Sequence, residues 1–181
     1  MDKLSNYDIV FIKLSKGNHL FNYKLDSSFF LNFENTIITD CNIDVAISLN
    51  KDQPHVFDMD FTVNGTIAAI CDRCLDTINL PINYQFNLLV KQTEKIKENE
   101  HDITYISLAD YQINVAKYIY DVCHLAVPMK ILCAESDKKT CNTIVEKKLK
   151  ELAPNNRSSK TEEDPRWDVL KTLVNPKKEN E

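Results

Sequence analysis

Cys71-Asp72-Arg73-Cys74-Leu75-Asp76-Thr77-Ile78-Asn79-Leu80-Pro81-Ile82-Asn83-Tyr84-Gln85-Phe86-Asn87-Leu88-Leu89-Val90 is the stretch from which the fold can be read. From Ile78 onward, apolar residues hold every second position: Ile78, Leu80, Ile82, Tyr84, Phe86, Leu88 and Val90. A strand sends alternate side chains to opposite faces, so all seven share one face, and the rest of the protein must cover it. Just ahead of them stand two thiols three positions apart, Cys71 and Cys74. A tight turn can aim both sulfurs at one point, where a metal or a disulfide would join them. The alternative is a pair of small buried hydrophobes closing a strand, since free cysteine is among the most buried residue types.

Upstream, Cys41, Ile43, Val45, Ile47 and Leu49 alternate with mostly polar residues, and the alternation resumes at Phe57, Met59, Phe61 and Val63 after Asp52-Gln53-Pro54. Two antiparallel strands are expected, with Gly65 marking a bulge before the cysteine turn and Cys41 serving as core filler. Asp8 to Leu14 and His19 to Leu25 read as a hairpin closed by Ser15-Lys16-Gly17-Asn18. Between hairpin and meander, Asp26-Ser27-Ser28 offers caps for a short helix over 27–35 carrying Phe29, Phe30 and Phe33 toward the core.

Downstream, 91–102 loses all periodicity and reads as a solvated connection, followed by a brief strand over Ile103 to Ser107. The period then becomes helical. Val115, Ala116, Ile119, Tyr120, Val122, Cys123 and Ala126 share a face of a helix over about 111–126 that Pro128 stops. Cys123 and His124 at its end read as packed rather than ligating. Two further thiols follow, Cys133 and Cys141, spaced more widely than the usual half of a zinc site. A lysine-rich helix over 142–152 carries Ile144, Val145, Leu149 and Leu152 as its apolar stripe, a linker runs from Arg157 to Glu163, and Asp164-Pro165 opens a last helix. The only tryptophan, Trp167, anchors that helix to its own domain or to a partner.

The expected fold is therefore α+β: an antiparallel sheet, as a meander or partly closed barrel, packed by one main helix. Residues 1–137 form the β-rich domain and 138–181 a basic helical tail. The division follows charge. Residues 1–137 hold 11 Lys or Arg against 19 Asp or Glu, a net −8, while 138–181 hold 11 against 8, a net +3. A polyanion would meet the tail first, at Lys138, Lys139, Lys147, Lys148, Lys150 and Arg157; the bland alternative is a solvated helix face.

Several function classes drop out. With only Gly17 and Gly65, the sequence has neither a Walker phosphate loop nor a G-x-G-x-x-G dinucleotide fingerprint, so no nucleotide cofactor is expected. Four scattered histidines offer no local catalytic pairing, and no catalytic residue is assigned. No apolar run approaches the roughly 18 residues of a membrane span. The N-terminus has neither the basic start nor the apolar core of a secretory signal, so the cytoplasm is the expected compartment. There, six cysteines are expected as thiols or metal ligands. A thiol-redox role for Cys71 and Cys74 ranks last, because that chemistry favours a C-x-x-C at a helix start in a βαβ pattern.

The order of these motifs resembles one family. A β-rich first half, Cys71-x-Arg73-Cys74-Leu75 heading an alternating strand, a helix ending in Leu125-Ala126-Val127-Pro128, and a terminal Asp164-Pro165-Arg166-Trp167 are similar to the YceD-like family of large ribosomal RNA subunit accumulation proteins. The resemblance implies a non-catalytic factor for accumulation of large-subunit ribosomal RNA, with the RNA precursor or ribosomal proteins as partners. It adds Arg166 and Trp167 to the contact residues beside the lysines above, while Arg73, next to the thiols, either joins that surface or pairs with Asp72 or Asp76. It also makes Cys71, Cys74, Cys133 and Cys141 the candidate zinc ligands, although other members carry a denser, glycine-containing cysteine cluster after the helix.

Overall fold

The computed structural model describes residues 4–94, 98, 103–138 and 140–153. The chain divides into two compact units, Met1–Thr143 and Ile144–Glu181.

The first unit is built on three long strands: β3 (Cys41–Gln53), β4 (Val56–Ile70) and β5 (Thr77–Thr93). β1 (Asp8–Ile9) and β2 (Asn18–Leu25) precede them; β6 (Ile103–Ser107) and β7 (Ile113–Asn114) follow. The main sheet runs β2-β3-β4-β5-β6 and is open, with β2 and β6 as its edges. All its pairings are antiparallel except that of β6, which lies parallel to the end of β5 from Leu89 onward. That late start leaves the stretch around Pro81 at an edge, where a residue without an N–H is tolerated.

The alternation in sequence becomes burial in space. Ile43, Val45, Ile47 and Leu49 on β3, Phe57, Met59, Phe61 and Val63 on β4, and Ile78, Leu80, Ile82, Leu88 and Val90 on β5 all lie inside. Tyr84 and Phe86 share that face and are partly buried against the core. The helix α2 (Ala116–Leu125) packs on β4 and β5 through Ile119, Val122 and Cys123. The short helix α1 (Ser27–Phe30) adds Phe29 and Phe30; its Asp26 cap accepts from the Ser28 N–H at 2.9 Å. Phe33 stacks on Tyr120 at 4.4 Å, and Tyr120 meets His124 at 4.1 Å. His124 Nδ1 lies 2.8 Å from the Tyr120 carbonyl, which makes it a packed histidine, as its sequence context suggests.

Four expectations need correction. Residues 8–14 do not form a hairpin with 19–25. Only Asp8 and Ile9 are extended, and they pair with Asn114 and Ile113. Phe11–Lys13 is a 3-10 turn that buries Phe11 against Phe57 at 4.6 Å, while the Lys51 ammonium holds the Phe11 and Leu14 carbonyls. Gly17, at φ 120°, then exchanges backbone hydrogen bonds with Lys51 and delivers the chain to β3 instead. The helix expected over 27–35 is shorter, ending at Phe30.

Gly65 is not a bulge either. It pairs in register with Ile43 and Ile82, and the ladder shifts instead between Asn50 and Gln53. A Cβ at Gly65 would run into the Asn42 carbonyl and the Ile43 backbone, so close strand approach is what requires glycine there. Finally, the main helix starts at Ala116, because Ile113 and Asn114 are claimed by β1. The Asn114 side chain ties the junction together, donating to Asp8 and accepting from the Ala116 N–H at 3.0 Å.

In the second unit, α3 (Thr143–Leu152) matches the lysine-rich helix closely. It buries no residue, and Ile144, Leu149 and Leu152 are exposed along its apolar stripe. The expected helix from Asp164 lies outside the described residues, as does most of the 91–102 connection.

Candidate metal centre

β4 ends at Ile70 opposite Thr77, the first residue of β5, so 71–76 must reverse the chain. The Leu75 N–H donates to the Cys71 carbonyl at 2.9 Å and the Cys71 N–H to the Asp76 carbonyl at 3.0 Å. Closing the loop this tightly forces Leu75 to φ 60°, a left-handed conformation that costs a residue with a Cβ about 1–2 kcal/mol. The turn presents both thiols inward: Cys71 and Cys74 are buried, while Arg73 between them is exposed.

The second pair of thiols reaches the turn through carboxylate clamps. Asp72 grips Ile131 twice, its carboxylate accepting the Ile131 N–H at 2.6 Å and its own N–H donating to the Ile131 carbonyl at 2.8 Å. Cys133 follows in a 3-10 turn, Cys133–Glu135, whose exit is fixed by the Ser136 hydroxyl donating to the Cys133 carbonyl at 2.8 Å. The Asp137 carboxylate then accepts from both the backbone and side-chain amides of Asn79, at 3.3 and 3.2 Å. Lys138 closes the loop with an ion pair to Asp76. These bonds do for the wide spacing of Cys133 and Cys141 what the backbone turn alone does for Cys71 and Cys74.

The result is one cluster of four sulfurs. Cys74 and Cys133 lie 3.4 Å apart, Cys71 and Cys141 3.9 Å, and all four sulfurs fall within 4.8 Å of one another. Zn–S bonds of about 2.3 Å in a tetrahedron put the sulfurs about 3.8 Å apart, so spacing and donor type both fit zinc. Cys133 is fully buried and Cys141 half-buried. Burial pushes the Cys71 thiol up, but the amides of Cys74, Arg73 and Cys133 and the Cys133 thiol favour its anion and bring it down to about 6. Burial, reinforced by the three neighbouring thiols, drives Cys133 the other way. A dication would remove that conflict, since it binds all four as thiolates.

The other two cysteines stay outside. Cys41 is raised to about 11 and Cys123 to about 12, in both cases chiefly by burial. Among the expected contact residues, Lys147, Lys148 and Lys150 are exposed on α3, and Lys138 is committed to Asp76. Lys139, Arg157, Arg166 and Trp167 lie outside the described residues. What sequence reasoning missed was the clamps: Asp72, Asp76 and Asp137 vanish into the acidic total of the body, although two of them adjoin the cysteine motif.

Residues 59–174, nearly two thirds of the chain, match the family model of large ribosomal RNA subunit accumulation protein YceD. The chain belongs to the YceD family. That membership ties it to accumulation of the large ribosomal RNA subunit. YceD is not a known enzyme family. The matched region starts at Met59 on β4 and takes in all four clustered cysteines, so the candidate centre falls within the family's own span. Comparison with curated proteins and with solved structures returned no match. No helix among the described residues is long and apolar enough to cross a membrane.

Proposed function

We propose that this YceD-family chain is a non-catalytic, cytoplasmic assembly factor for the large ribosomal subunit, braced by one zinc ion and contacting precursor RNA through the lysine face of α3. The four-sulfur cluster carries the structural half of this reading. Cys71, Cys74, Cys133 and Cys141 would fill all four positions of a tetrahedral ion, leaving none open for water or substrate; zinc would then supply cross-linking. It would hold the 131–141 segment against the β4–β5 turn.

Family membership together with the exposed Lys147, Lys148 and Lys150 supports the RNA half. Such contacts neutralise phosphates and release counterions, so they weaken steeply with salt. The test is retention of precursor RNA by full-length protein across a salt series, beside a variant with the three lysines changed to glutamate. The variant should bind more weakly, with its salt slope lower by about 2 for single-stranded RNA. Equal binding and equal slope would remove α3 from the mechanism.

A second reading has its own observation. Residues 1–137 carry a net −8, which suits an adaptor that holds basic ribosomal proteins and does not touch RNA. Recovery of tagged protein with and without ribonuclease separates the two: the first loses its large-subunit components on digestion, the second keeps its proteins.

A further inference from the structure

The lysines of α3 occupy one side of a helix whose other side is apolar. Val145, Leu149 and Leu152, at i, i+4 and i+7, share that second side, and Lys147, Lys150 and Glu151 point away from it. Leu149 is 46% exposed and Leu152 81%, and the helix buries none of its residues. At 10 residues it is shorter than the roughly 12–15 that an isolated helix needs to persist in water. A short helix with an open apolar stripe calls for a cover, because packing of that stripe is what stabilises most protein helices.

The sequence holds a matching stripe farther on. Trp167, Leu170 and Val174 stand at i, i+3 and i+7 in the segment 164–174, which lies outside the described residues. The second compact unit, Ile144–Glu181, takes in both α3 and this segment and leaves out the sheet. The family match ends at Val174, the last apolar position of that stripe, so both stripes fall within the family's span. Residues 153–163 connect them. At full stretch they reach about 36 Å, against about 15 Å for the length of α3, so the segment can lie back along the helix in either direction.

We infer that residues 164–174 form a helix that docks antiparallel on the apolar stripe of α3, with Trp167 against Leu149 and Leu152. Charge selects the direction. Antiparallel packing sets Glu162, Glu163, Asp164 and Asp168 beside the end of α3 that carries Lys148 and Lys150, and it opposes the two helix dipoles. Parallel packing would bring the same acids toward Glu146. The tether selects the occupant: a linker this short gives the segment an effective concentration on the order of millimolar, which a second copy or a free partner must exceed to displace it. Trp167 is then a packing residue and not an RNA contact, and the lysines stay on the open side of a two-helix arm. The inference does not depend on what those lysines bind.

Trp167 is the only tryptophan in the chain, so its fluorescence reports the contact directly. Acrylamide quenching is measured on the full chain as wild type, as Leu149→Ala with Leu152→Ala, and as Glu151→Ala, a control on the far side of α3. Alanine favours helix, so the double variant removes the stripe and keeps α3, which far-UV circular dichroism checks. Wild-type Trp167 should be shielded at every dilution, with light scattering reading a monomer; the double variant should quench about threefold more steeply and the control as wild type. Hydrogen exchange reads the same contact from the other side: Trp167→Ala should lower the protection of α3 amides about tenfold and leave β3 to β5 unchanged. A wild-type Trp167 as quenchable as free tryptophan would overturn the docking. Shielding that survives loss of both leucines would assign Trp167 to the β-rich domain, and shielding that fades on dilution would assign it to a second copy; either result overturns the inference, as does α3 protection that Trp167→Ala leaves intact.

Discussion

Six cysteines fall into two groups, and burial does not distinguish them. Cys123 is as inaccessible as Cys71 or Cys133, yet its thiol is pushed up to about 12 while that of Cys71 comes down to about 6. The difference lies in what surrounds each sulfur. Cys123 sits on α2 among apolar side chains, in a helix whose amides are spent on its own carbonyls. Cys71 sits at the mouth of a turn, where the amides of Cys74, Arg73 and Cys133 favour its thiolate and three more sulfurs lie beside it. Cys133 in the same cluster is raised as well, so what marks the four as ligands is the approach of their sulfurs to within 4.8 Å, and a buried thiol without such neighbours is only a small hydrophobe.

The largest expected effect cuts through this contrast. Cys71→Ser with Cys74→Ser should abolish zinc uptake and lower the melting temperature by about 10 °C or more, because metal binding energy in such a site is folding energy. Cys123→Ala should cost about 1 kcal/mol and leave zinc stoichiometry unchanged. Metal analysis beside thermal melts reads both. If the two variants melt alike and hold the same metal, the groups are not different in kind.

How much of this contrast could be read from sequence depended on distance along the chain. The period-two run from Ile78 to Val90 specified its strand and buried face directly, since that pattern is local. Cys71 and Cys74 were legible as a pair for the same reason. Cys133 and Cys141 joined them through the family resemblance; their wide spacing is a weak signal, and the contacts that bring them in, Asp72 with Ile131 and Asp137 with Asn79 about sixty residues apart, have no periodic signature. The N-terminal hairpin failed for a related reason. Asp8 and Ile9 look like the first strand of a local pair, but Asn114, more than a hundred residues on, claims them.

The clamps supply the next effect. Asp72→Ala removes the carboxylate that fixes Ile131 two residues before Cys133, leaving all four sulfurs in the sequence but one arm loosely held. Zinc affinity should fall by about 10–100-fold, the usual effect of losing a group that orients a ligand. Competition with a chromophoric chelator measures it. An unchanged affinity would mean that the sulfurs alone assemble the centre, and the clamps are incidental to it.

Smaller still is the strain in the turn itself. The lone cysteines sit on a regular strand and a regular helix, whereas the clustered pair requires Leu75 at φ 60°. Leu75→Gly relieves about 1–2 kcal/mol of left-handed strain and adds about 0.5–1 kcal/mol of unfolded-chain entropy. The side chain is exposed, so little packing is lost. A net gain of about 0.5 kcal/mol should appear in denaturant unfolding with zinc retained. A loss of 1 kcal/mol or more would show that the Leu75 side chain stabilises the turn in a way its exposure hides.

The finest discrimination is in alkali. The folded-state pKa of Cys123 is raised from an ordinary 9.0 to about 12, so the unfolded chain ionises first as pH climbs. A group shifted upward contributes stability that is whole below its unfolded pKa and is lost as pH rises through its folded value. Between pH 8 and 10, then, wild type should lose about 1 kcal/mol relative to Cys123→Ala, which has no thiol to ionise. Denaturant unfolding of both proteins at each pH, with zinc present throughout, isolates the term, since the four-sulfur centre is common to the two. A constant difference from pH 8 to 10 would mean that the buried thiol ionises as readily folded as unfolded, and the apolar packing of α2 would no longer account for what separates Cys123 from Cys71.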